Sequence, residues 1–120
     1  MLETALETTL ANGLEVADQV WVPGSMEIPL ALKRALLQET ISAGVILSVI
    51  ERGETGHGWV MGQAMINAVI DLQLDLMKPV GVGILGPNIR PEQIEERLVP
   101  YAYDAVLAVR AMLDHPSEHS

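Results

Sequence analysis

Three features of this 120-residue chain predict an α/β fold, a three-layer arrangement with a parallel sheet between helices. Segments with helical spacing alternate with apolar runs, the order that right-handed crossovers between parallel strands produce. The run "AGVILSVI" (43–50) is apolar without alternation, the pattern of a strand covered on both faces. Three irregular stretches, "PGSMEIP", "ERGETGHG" and "GPNIRPE", fall where strands would end, and ligands of such folds gather there.

Taken in order, "LETALETTLAN" places Leu2, Ala5, Leu6 and Leu10 on one helical face, and Gly13 is set to end that helix. "LEVADQVWV" reads as a strand, and "PGS" turns the chain. "EIPLALKRALLQE" is a second helix, with Pro29 tolerable in its first turn. "AGVILSVI" then forms a strand and Trp59 to Met77 a long helix. "PVGVGILG" is a strand thinned by Gly81 and Gly83, and Asn88 and Pro91 announce the helix "PEQIEERL". Pro100 is expected to break that helix before "AYDAVLAVRAML" closes the fold. A single domain over 1–120 is expected, with 115–120 a frayed tail.

The composition narrows the function. A net charge of -9 opposes binding to nucleic acid, which needs a basic patch, and to an anionic membrane surface. With no Cys there is neither a disulfide frame nor thiolate chemistry. Glu3 and Glu7 interrupt the opening turns, so no signal peptide is expected and a cytoplasmic protein is the default. With no Phe and aromatics at 3%, the core must come from Leu, Ile, Val, Ala and Met.

The helix from Trp59 to Met77 carries a polar stripe, Gln63, Asn67, Asp71 and Asp75, on an otherwise apolar surface. Two Asp, an Asn and two Gln make a membrane span costly. So wide an apolar surface must be covered on more than one side, which predicts a homo-oligomer.

In "RGETGHG", Gly53, Gly56 and Gly58 let the backbone turn sharply beside a ligand. The loop feeds a helix N-terminus, where free N–H groups and the dipole favour an anion. Thr55 adds a hydroxyl, and His57 a group that titrates near neutrality. Each stretch also has a plain reading: a helix cap with a surface His57, a capping Ser25 followed by Glu27 at a helix N-terminus, and Arg97 paired with Glu92 or Glu95.

Together, "VPGSMEIPLALKRAL", "GVILSVIERGETGH", "KPVGVGILGPN" and "PEQIEER", in this order and spacing, resemble the lumazine synthases. The resemblance spans Glu3 to Leu113. It implies condensation of 5-amino-6-ribitylamino-pyrimidinedione with 3,4-dihydroxy-2-butanone 4-phosphate to 6,7-dimethyl-8-ribityllumazine in riboflavin biosynthesis, with no metal or organic cofactor. It further implies pentamers, or multiples of them, with active sites between neighbours. Ser25, Met26 and Glu27 match the segment that holds the ribityl chain, and Val49, Ile50 and Glu51 the segment along the pyrimidine. Val82 matches a ring-contacting position, His57 the proton-transferring histidine, Glu54 and Thr55 the phosphate loop, and Arg97 the phosphate-binding arginine.

The chain also departs from the family's pattern. The family usually has an aromatic at Met26 and at Val82, an apolar residue at Glu51, and Pro at Gly56 followed by an aromatic at Gly58. Its second phosphate cation, a Lys, has no counterpart in "LVPYAYDA". The family's opening strand, an inner strand of its sheet, has no match here. The two strands flanking that place are then expected either to close up or to receive a strand from another chain or from a longer natural one. A non-catalytic, oligomeric scaffold or ligand-binding shell protein of the same fold is the alternative reading.

Overall fold

The computed structural model describes the backbone of residues 2–51, 57–89 and 91–114, and side chains within 2–48, 60–84 and 99–114. The expected tail at 115–120 lies outside the described residues. Helix α1 (Leu2–Ala11) ends as its sequence predicts, with Gly13 at φ 73, a left-handed conformation that costs glycine nothing. Its buried face differs from the expected one. Ala5 and Thr8 are buried while Leu10 is exposed, because small residues let α1 come close to the last helix. Thr8 Oγ1 donates to the Thr4 carbonyl at 2.7 Å, which satisfies the buried hydroxyl within the helix.

A single 3₁₀ turn (Ser25–Glu27) leads into α2 (Ile28–Leu36), whose first turn holds Pro29, where its missing N–H costs no bond. Strand β1 (Gly44–Glu51), helix α3 (His57–Leu76), strand β2 (Val80–Ile89) and helix α4 (Pro91–Leu113) follow. β1 and β2 pair in parallel, from Gly44 opposite Val80 to Val49 opposite Leu85. The register then shifts, so that Glu51 faces Ile89. The extra length lies in β2 around Pro87, which has no N–H for the ladder.

The chain forms three layers. On one face of the sheet, Ile28, Leu32 and Leu36 of α2 and Met65 and Val69 of α3 pack with Ile46, Val80 and Ile84. On the other, Ala5 of α1 and Ala102 and Val106 of α4 form a cluster against Leu47. Ile46 and Leu47 thus bury toward opposite layers, as an unalternated strand requires. Fully burying each such side chain contributes roughly 1.5–3 kcal/mol. Gly81 belongs to the α4 layer, and a Cβ there would come within 2.0 Å of the Ala105 carbonyl oxygen. The glycines of β2 therefore do not thin a weak strand; they let a helix lie directly on it.

Two expectations need correction. α4 runs unbroken through Pro100. A proline inside a helix costs about 3 kcal/mol. Pro100 is exposed, and burial of Ala102, Ala105, Val106 and Val109 just beyond it offsets that loss. The expected strand "LEVADQVWV" does not form: residues 14–22 carry no regular secondary structure. Among the described residues the sheet has two strands, β1 and β2.

The reason is pairing. A strand exists only through its ladder, and between residues 14–22 and β1 lies a cleft of roughly 1250 Å³. α1, α2 and the end of α4 form the rest of its wall. The two segments have not closed up. Val20 and Trp21 are instead exposed.

α3 follows its sequence pattern. Met65 and Val69 face the core, while Gln63, Asn67, Asp71 and Asp75 face solvent. Val60, Ile70, Leu74 and Met77 are also exposed, so one chain covers only one side of its apolar surface. Gln73 Oε1 accepts from the Val80 N–H at 2.9 Å, fixing the end of α3 to the start of β2. Lys78 Nζ donates to the Leu36 and Gln38 carbonyls, closing the C-terminus of α2. Among the described residues, no helix is long and apolar enough to cross a membrane.

Candidate active site

The connections place two helix N-termini at one end of the sheet. Five residues separate Glu51, at the carboxyl end of β1, from His57, the first residue of α3. Because β1 and β2 are parallel, the connecting α3 must run back along the sheet and so starts at the end where β1 finishes. One residue separates Ile89 of β2 from Pro91 of α4. Both helices therefore present the unsatisfied N–H groups of their first turns at the carboxyl end of the sheet. That is where an open α/β sheet binds its ligand.

The 3₁₀ turn joins them there. Ser25 is half-buried, and its Oγ lies 2.9 Å from Ser48 Oγ in the second half of β1. The turn also contacts α3 and α2. Ser25 does not cap a helix, as its position in the sequence suggested, because its hydroxyl is engaged with Ser48 and the turn has no side-chain cap. Met26 and Glu27 follow it and are exposed, which leaves both open to a ligand.

Val49, Ile50 and Glu51 close β1, one to three residues past Ser48; their backbone is placed but their side chains lie outside the described residues. Glu54 and Thr55 also lie outside them. His57 begins α3, and Arg97 sits six residues into α4, about 9 Å along its axis at 1.5 Å per residue. Neither side chain is among those described. Val82 lies opposite Ile46, two residues nearer the amino end than the Ser48–Ile84 pair, and is 39% exposed. The structure thus brings Ser25 together with Ser48 of β1 and its turn against α3, and places Val82 farther along the same sheet face.

Ser48 is the residue that the sequence reasoning missed. Its signal was available: it is the only polar side chain between Gly44 and Ile50, and a half-buried hydroxyl in an apolar strand needs a partner.

The hydroxyls of Ser25 and Ser48, an exposed turn and two helix N-termini lie at this end of the sheet, groups that suit polar ligands and anions.

The profile of the 6,7-dimethyl-8-ribityllumazine synthase family matches residues 1–117. The 6,7-dimethyl-8-ribityllumazine synthase of Metallosphaera sedula is 39% identical over 106 residues, 88% of this chain and 70% of that protein. The enzyme of the same name from Methanopyrus kandleri is 37% identical over 113 residues, 94% of this chain and 79% of its own. That from Saccharolobus solfataricus is 36% identical over 108 residues, 90% and 70% of the two chains. The match covers both the sheet and every loop at its carboxyl end, and the chain belongs to the 6,7-dimethyl-8-ribityllumazine synthase family.

Proposed function

We propose that this protein is a transferase-type lumazine synthase that condenses 5-amino-6-ribitylamino-pyrimidinedione with 3,4-dihydroxy-2-butanone 4-phosphate, yielding 6,7-dimethyl-8-ribityllumazine, phosphate and water. The observation that carries the reading is a family match over residues 1–117 that includes all three loops at the carboxyl end of the sheet.

The residues divide the work by chemistry. Ser25, Met26 and Glu27 take the ribityl chain, and Val49, Ile50 and Glu51 run along the pyrimidine, with Val82 contacting its ring. The loop of Glu54 and Thr55 holds the phosphate through its N–H groups and the Thr55 hydroxyl, together with Arg97 and the α3 N-terminus. Imine formation joins the 5-amino group to the ketone carbonyl and releases one water; elimination of phosphate then leaves a carbonyl, and the ribitylamino nitrogen attacks it to close the second ring with loss of a second water. Both stages need protons moved near neutral pH, the role of His57. Holding two substrates together supplies much of the acceleration.

The chain works as a homo-oligomer, a pentamer or a multiple of one, in this reading. The exposed Val60, Ile70 and Leu74 on α3, and Met77 just after it, support it. The acidic, cysteine-free composition suits a cytoplasmic enzyme. The test is stoichiometry: with both substrates present, inorganic phosphate and the fluorescent lumazine should appear one for one. Phosphate release without lumazine would contradict the proposal.

A further inference from the structure

We infer that Ser48 is a positioning residue for polyol binding, holding the Ser25 hydroxyl toward the cleft so that the pair meets a hydroxyl of the ligand's ribityl chain. The inference rests on the functional reading above.

Four observations carry it. The two Oγ atoms are 2.9 Å apart and join residues 23 apart in sequence, one in the 3₁₀ turn and one in β1. Neither serine is fully buried, and both line the cleft beside β1. The N-cap positions of the 3₁₀ turn and of α2 are Gly24 and Glu27, so Ser25 occupies neither and its hydroxyl is engaged with Ser48. Ser48 interrupts an otherwise apolar run whose other described side chains, Val45, Ile46 and Leu47, make no polar contact.

A serine hydroxyl has one hydrogen and two lone pairs. Their mutual bond uses one hydrogen and one lone pair, which leaves the pair with a free hydrogen and spare lone pairs. A sugar-alcohol hydroxyl, itself both donor and acceptor, matches that remainder, and a chain of hydroxyls strengthens each member. Without Ser48, the Ser25 side chain would rotate freely and lose its aim.

A merely structural role, pinning the turn to the strand, predicts different behaviour, and a double-mutant cycle separates the two. Wild type, Ser25→Ala, Ser48→Ala and the double variant are titrated calorimetrically with two compounds. One is 5-amino-6-ribitylamino-pyrimidinedione; the other is the same pyrimidinedione without its ribityl chain. Ser48→Ala should weaken binding of the first about 3- to 10-fold, the double variant should lose little more, and the second compound should bind all four proteins alike. In turnover, Ser48→Ala should raise KM for the ribityl substrate more than it lowers kcat, and Ser48→Thr should recover the loss. Unchanged affinity in Ser48→Ala, additive losses, or equal weakening toward both compounds would overturn the inference. A wild type that binds the ribityl compound yet forms no lumazine would overturn the functional reading instead, while the cycle still decides the role of Ser48.

Discussion

Gly81 of β2 lies directly beneath the carbonyl of Ala105 in α4, so close that a methyl group on Gly81 would stand 2.0 Å from that oxygen. The obstacle is backbone, which cannot swing aside. Gly81→Ala must therefore push α4 off the sheet and disturb Val109, whose Cγ2 would be 3.1 Å from the new carbon. Overpacking of this kind costs about 1–3 kcal/mol, and more where backbone must move. Denaturant unfolding should show a lower midpoint and an unfolding free energy reduced by at least that amount. An unchanged midpoint would mean that helix and strand are farther apart than described.

The fold's local parts were legible in the sequence, and its pairing was not. Gly13, Pro29 and the 3.6-residue period place α1, α2 and α3 because those signals act within a few residues. "AGVILSVI" reads correctly because burial on both faces leaves a one-dimensional trace, Ile46 to one layer and Leu47 to the other. "EVADQVWV" has a strand's composition, yet its state depends on a partner strand, which no local pattern encodes. Pro100 misled for a similar reason: the helix around it is held by distant packing. At the candidate site, the Ser25–Ser48 contact joins residues too far apart in sequence for a capping rule to find.

Arg97 is the phosphate's side-chain cation in the proposed site, with no lysine to share the load. A charge-assisted hydrogen bond contributes roughly 1.5–3 kcal/mol, so Arg97→Ala should weaken inorganic phosphate binding about 10- to 150-fold. Calorimetric titration checks this directly. Equal affinities in variant and wild type would remove Arg97 from the site.

His57 moves protons in the proposed reaction but does not hold the substrates. General acid–base help is typically ~10²–10⁴-fold, while positioning survives its loss. His57→Ala should therefore lower turnover by about 10²-fold or less and leave substrate affinity nearly intact. A variant that unfolds or binds poorly would assign His57 a structural role.

Leu74 of α3 and Met77 just after it stand 67% and 75% exposed, with Val60 and Ile70 also exposed on α3. Burying each contributes roughly 1.5–3 kcal/mol. Four such residues, repeated on each partner, offset a typical association cost. Sedimentation at micromolar concentration should show a stable oligomer, most simply a pentamer or its multiple. Leu74→Asp should dissociate it, because the charge would be buried without a partner. A 13.0 kDa monomer for the wild type would contradict the covered-helix reading and an interfacial site with it.

The central claim is catalysis, and the measurement closest to it is the steady-state rate of lumazine formation. Purified protein is mixed with 5-amino-6-ribitylamino-pyrimidinedione and 3,4-dihydroxy-2-butanone 4-phosphate at neutral pH, and product fluorescence is followed. The reaction should run well above the uncatalysed condensation, saturate in both substrates and scale with enzyme concentration. A rate equal to that of the two substrates alone would contradict the account.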